Sequence, residues 1–248
     1  MERVIKATIS YEGTNFHGFQ KQSGKNLRTV QESLERGLSK FFASNIVIFG
    51  AGRTDAGVHA EGQVISFLAP FTIPEEKLAY ALNSRMPEDI VIKQAEYVEP
   101  DFHARFSAKG KHYRYKIHNA QIPRAIGRNL SYHFPYKLDV TRMKNGAGFF
   151  LGTHDFAGFA AQGCNVKSTV RRIDRLEIER IEQDISIDII GNGFLYNMVR
   201  IMVGTLIDVG QGRMSPEKIK EILRSGNRTL AGPTVPPQGL YLIEVFYS

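Results

Sequence analysis

One cysteine, Cys164, is the whole thiol content of the 248-residue chain. A lone thiol closes no internal disulfide and points to a reducing compartment. Long apolar runs are missing too: none approaches the roughly 18 residues that a membrane-spanning helix requires. The opening "MERVIKATIS" places charges at positions 2, 3 and 6, so it has no apolar signal-peptide core. These absences predict a soluble, cytoplasmic protein that is neither exported nor membrane-bound. Low-complexity tracts are lacking as well. With one cysteine and no H-E-x-x-H, the common zinc centres are excluded.

Positive charge is in surplus. The net charge is +7 and the pI about 9.4, a balance that suits polyanions, nucleic acid above all. The plainer alternative is surplus charge serving solubility. A chain of this length buries roughly 70–75% of its unfolded surface, enough for a core without staples.

The pattern alternates strand and helix. "RVIKATISY" (3–11) reads as a half-buried strand, followed by a polar, glycine-punctuated loop, "EGTNFHGFQKQSG". Thr29 opens a helix with Glu32 placed for a capping box, and Val30, Leu34, Leu38 and Phe41 give it one apolar face. "NIVIFGAG" and "GQVISFLAP" read as strands. A helix from Pro74 and the strand "DIVIKQAEYV" complete the first half. The second half offers a strand at 111–119 and a helix near 139–152 weakened by Gly146 and Gly148. It continues with a hairpin of "STVRRIDRLEIERIE" and "DISIDIIGNG", an apolar helix at 194–210, a capped "SPEKIKEILRSG" and a last strand, "GLYLIEVFY". The expected fold class is α+β: two βαββαβ-like halves, 1–105 and 106–248, a mostly antiparallel mixed sheet, and helices packed on one face. Apolar surface near 143–151 is a candidate for pairing two chains.

Between two of these strands lies "FGAGRTDAGVHAEGQV" (49–64). Its glycines do not fit G-x-G-x-x-G and no Gly-Lys-Ser/Thr follows, so it is not a phosphate cradle. His59-Ala60-Glu61 matches half of the zinc deaminase signature, whose other half needs two thiolates that the chain does not own. An Asp in such a loop ordinarily caps its own backbone. It can also stand at an exposed bend, with Arg53 two residues earlier keeping it ionised or gripping a phosphate, and serve as nucleophile or general base. The residues alone leave both readings of Asp55 open.

"GRTDAGVHA" closely resembles the signature of the tRNA pseudouridine synthase A family. The likeness continues through "YEGTNFHGFQKQ", "VQESLE", "DFHARFSA", "YRYKI", "NMVRIMVG" and "GLYL" in family order along nearly the whole chain. The resemblance implies isomerisation of uridine to pseudouridine at positions 38, 39 and 40 of the tRNA anticodon stem-loop, without cofactor or metal. It implies Asp55 as the essential carboxylate and Tyr113 lying against the target base. Arg200 is implied to pair with Asp55 in a cleft between the halves, and the enzyme to be a homodimer, with no other protein partner. Arg53, His103 and Arg105 are further substrate-binding candidates, with His17, Gln20 and Lys21 in the early loop behind them. Lys109, Lys111, Arg114, Lys167, Arg171 and Arg172 are candidate phosphate contacts. Two places depart from the family pattern: Phe19 stands where relatives carry tryptophan, and Tyr196-Asn197 where they often carry two histidines. The alternative within the same fold is a silent tRNA-binding module.

Overall fold

The computed structural model describes residues 2–22, 24, 27–161, 163 and 166–248. Cys164 lies outside the described residues. The chain divides into two compact units, Met1–Lys109 with Tyr241–Ser248, and Gly110–Leu240. No helix among the described residues is long and apolar enough to cross a membrane.

The first unit runs β1 (Arg3–Tyr11), α1 (Val30–Phe42), β2 (Phe49–Gly50), β3 (His59–Ala69), α2 (Leu78–Asn83) and β4 (Ile90–Val98), a βαββαβ order. It closes with β10 (Leu240–Phe246), of which Tyr241 onward belongs here. β1 pairs antiparallel with β3 and β4, β2 antiparallel with β3, and β10 parallel with β3. Alternation in β1 buries Ile5, Ala7, Ile9 and Tyr11, whereas β3 is buried at all but Glu61 and Leu68. That is the signature of a strand covered on both faces. A register shift between Ile9 and Tyr11 kinks β1 as it nears the Asp55 loop. Thr29 caps α1 through its hydroxyl, which accepts from the Glu32 amide at 3.3 Å. The buried face of α1 is Val30, Leu34, Leu38 and Phe42, with Phe41 at its margin.

The expected strand over 45–52 shrinks to two residues. Ile46 and Ile48 are buried and Val47 and Phe49 exposed, so the alternation is real. The backbone amides, however, go to α1: Ile46 donates to Ser39 Oγ at 2.9 Å and Ile48 to Glu35 Oε1 at 3.4 Å. Side chains of a helix replace the neighbouring strand until Phe49 meets Ser66.

The second unit holds β5 (Gly110–His118), β6 (Tyr132–His133), α3 (Val140–Ala147), β7 (Gly152–Asp155), β8 (Val170–Ile181), β9 (Asp184–Gly191), α4 (Met198–Gly210) and α5 (Lys218–Ser225). β5, β9, β8 and β7 pair antiparallel in that order, and β6 runs parallel to β5. Both units are thus α+β, with sheets that are mixed but mostly antiparallel. In α4 every residue but Arg200 and Asp208 is buried. The expected cap of α5 is absent: the helix begins at Lys218 after a turn whose bonds are backbone, to Ser215 and Pro216 carbonyls. Its glycine stop is present, Gly226 at φ 63°. The expected apolar surface near 143–151 is mostly turned inward, since Met143, Ala147 and Phe150 are buried.

Candidate active site

Asp55 sits in the connection 51–58 between β2 and β3, half-buried, and its neighbours are fixed from both sides. Before it, buried Thr54 shares a 2.7 Å hydrogen bond with the Tyr11 hydroxyl, and its carbonyl accepts from the Phe19 amide at 3.0 Å. After it, Gly57 donates to the Phe16 carbonyl at 3.2 Å, and Val58 to the Asp55 carbonyl at 3.2 Å. Gly13 donates to His59 Nδ1 at 2.9 Å. The early loop is therefore laced along the Asp55 loop. Two glycines permit this closeness. A Cβ on Gly13 would lie 2.1 Å from the Val58 carbonyl oxygen. One on Gly18 (φ 89°) would lie 2.9 Å from that of Thr54. Neither fits.

The brace reaches the core. Gly18 and Phe19 carbonyls accept from Val30 and Gln31, so the first turn of α1 satisfies its open amides on the early loop. Arg28 clamps this corner, bidentate to Asp89 and 4.2 Å above the Phe16 ring. Gln63, wholly buried in β3, donates to the Gly52 carbonyl at 2.8 Å. Burial pushes the Tyr11 phenol up to about 12, against the lowering pull of its bonds to Thr54 and Gln63. It remains a neutral hydroxyl at physiological pH. A loop so held presents its one carboxylate with little freedom to rearrange, which favours a fixed reacting group.

Arg53 is exposed, and its Nε donates to Gln20 Oε1 at 3.1 Å; Gln20 in turn donates to Gln31. Gln20 thus holds Arg53. His59 accepts from Gly13 and stacks on Tyr241 at 4.7 Å, so the ring that suggested a metal ligand braces the loop instead.

Within the second unit, Tyr113 and Tyr115 are buried on the same face of β5. Phe194 meets the Tyr113 ring edge-on at 5.1 Å. Arg200 Nε donates to the Val235 carbonyl at 2.7 Å and its Nη1 to Asn197 Oδ1 at 2.8 Å. The same 231–237 segment takes the Tyr115 hydroxyl on Pro236 at 2.7 Å. Burial holds that hydroxyl well above the usual tyrosine range, Tyr132 adding to the shift and the Arg200 charge opposing it.

The family described as "tRNA pseudouridine synthase" matches residues 7–107 and 147–248. The chain belongs to the tRNA pseudouridine synthase family. Its relatives span it end to end. A protein of Acetivibrio thermocellus named tRNA pseudouridine synthase A is 48% identical over 99% of this chain and 100% of its own. One of that name from Ruminiclostridium cellulolyticum is 50% identical over 99% and 100%. One from Bacillus subtilis is 46% identical over 98% and 99%. As a member of this family the chain is an isomerase that acts on tRNA.

The remaining candidates fall in several places. His103 and Arg105 lie in the turn 103–107 of the first unit, where His103 touches Phe49 and Phe106. His17 is exposed, and Lys21 lies 3.7 Å from Glu35. Arg114 is tied to Asp188 at 2.9 Å and Arg172 to Asp174 at 2.7 Å. Arg171 donates to the Ser168 and Val170 carbonyls, while Lys109 and Lys167 are exposed and Lys111 is half-buried. Sequence reasoning missed the bracing set Tyr11, Thr54 and Gln63. Tyr11 and Thr54 stand in the motifs quoted above and Gln63 is a lone amide heading the apolar run "QVISFL", but none of these signals names a bracing role.

Proposed function

We propose that this enzyme converts uridine to pseudouridine at positions 38, 39 and 40 of the tRNA anticodon stem-loop, with Asp55 as the catalytic carboxylate. The observation that carries the reading is the Arg53-Thr54-Asp55 loop, intact in sequence and held on both flanks by the early loop. Full-length likeness to proteins named tRNA pseudouridine synthase A supports it. The reaction breaks the bond between ribose C1′ and uracil N1 and joins C1′ to C5. The C5 proton leaves and N1 gains one, so no atom is lost and no oxidant is needed. A carboxylate can attack the sugar or the base, or accept the C5 proton. Arg53, His103 and Arg105 bind the substrate, Tyr113 stacks on the extruded uracil, and Arg200 supplies a cation to the same reaction. The enzyme works as a homodimer in the cytoplasm, where its substrate is.

The test is to incubate the protein with unmodified tRNA bearing uridines at 38, 39 and 40, then map pseudouridine by carbodiimide-dependent reverse-transcription stops. Stops confined to those three positions are expected. Stops elsewhere in the tRNA with none in the anticodon stem-loop would overturn the assignment.

A further inference from the structure

Three rings line up on the surface of the first unit. His103 lies 4.8 Å from Phe49 and 4.4 Å from Phe106, with interplanar angles of 40° and 36°. Phe49 is 50% exposed and Phe106 75%. The Arg105 guanidinium stands 5.6 Å from the Phe106 ring centre. Exposed phenylalanines singly call for no explanation, but a contiguous run of tilted rings with a cation at its open end does.

The turn that carries them is fixed. Buried Ala104 donates to Ser66 Oγ at 3.1 Å, and its carbonyl accepts from the Tyr247 hydroxyl at 2.8 Å. His103 Nδ1 accepts from the Arg105 amide at 3.1 Å, and the Ser107 amide donates to the His103 carbonyl at 2.9 Å. The rings are therefore held in place before any ligand arrives. Phe49 is in β2, the strand that leads directly into the Asp55 loop.

The geometry points to a stacking shelf, formed by Phe49, His103 and Phe106 with Arg105, that takes an unpaired nucleobase of the substrate RNA and its phosphate. This rests on the tRNA reading above. The exposed Phe106 ring at the end of the run, with a guanidinium adjoining it, matches a base and its phosphate, and a chain of net charge +7 draws polyanions to it. An aliphatic partner surface would leave the Arg105 cation unmatched. Open rings can stack only on a base freed from its helix.

The chain has no tryptophan, so Phe106→Trp installs its single indole on the shelf. Titration of this variant with unmodified tRNA is expected to quench the indole saturably, while a fully paired RNA duplex of equal length leaves it bright. Phe106→Ala is expected to raise KM for tRNA roughly 5- to 150-fold, the range for loss of one stacked base, with kcat little changed. Phe106 is largely exposed, and unchanged circular dichroism would show the alanine variant folded. Equal quenching by the duplex, or an unchanged KM in an active enzyme, would overturn the shelf and leave the tRNA reading standing. A change of sedimentation in Phe106→Ala without quenching in Phe106→Trp would also overturn it, by giving the surface to a second copy. Wild-type protein that neither binds nor modifies tRNA would remove the functional reading, and the shelf with it.

Discussion

Asn197 enters α4 at φ 58° and ψ 7°, a left-handed conformation that asparagine tolerates better than most residues. From there its Oδ1 accepts from Arg200 Nη1. Asn197 is thereby a positioning residue for the one arginine on a mostly apolar helix. Asn197→Gly keeps the backbone conformation and deletes only the acceptor. Loss of one charge-assisted hydrogen bond, roughly 1.5 kcal/mol, predicts a fall in kcat of about tenfold. Asn197→Asp, which keeps an oxygen at that place, is expected to recover most of the rate. Steady-state assays on both, with matched thermal midpoints, check this, and wild-type kcat in the glycine variant would contradict it. The sequence marked this residue only as a departure from a family pattern. Its partnership with Arg200, one helical turn away, was open to inspection, but the Val235 carbonyl on the far side was not.

Strands β5 and β9 place Arg114 opposite Asp188, and His112 reaches the same carboxylate. Burial pushes the Asp188 carboxyl up, but the bonds from His112 and Arg114 outweigh it and hold it below the usual range. A depressed folded-state pKa means stability that is present above the unfolded value of about 3.9 and lost as pH falls through the folded one. Asp188→Asn is therefore expected to cost on the order of 1–2 kcal/mol at pH 7. In urea melts that cost should shrink steadily below about pH 4. The same deficit at pH 3 and pH 7 would refute the pairing. Elements of this kind were the most legible part of the chain, because alternation in "YRYKI" and "DISIDII" is imposed by one buried face. The segment 45–50 misled for an instructive reason. Its alternation is as regular as any, but its amides are satisfied by Ser39 and Glu35 of α1, and periodicity reports burial without reporting who accepts the hydrogen bond.

Across the 248 residues, the α+β class and the βαββαβ order of the first unit followed from strand and helix patterns read in turn. The partner of the final strand did not follow. Tyr241 pairs with His59 across most of the chain, and nothing local in "GLYLIEVFY" names that neighbour. The candidate site divides in the same way. Glycines around Arg53-Thr54-Asp55 announce an unusual loop, whereas Tyr11, Phe19 and Gln63 become its supports only once distant strands are brought together. Charge and chemistry are also separable. In the proposed function, affinity for tRNA is assigned to many cations and turnover to one anion.

Asp55→Asn separates the two most directly, since it raises the net charge by one and keeps the side chain's shape. Filter binding and pseudouridine release should be measured side by side on the same unmodified tRNA. Binding at least as tight as wild type is expected, with product formation lowered by more than the roughly 10²–10⁴-fold that loss of a general acid or base costs. Pseudouridine formed at the wild-type rate by the asparagine variant would contradict the account at its centre.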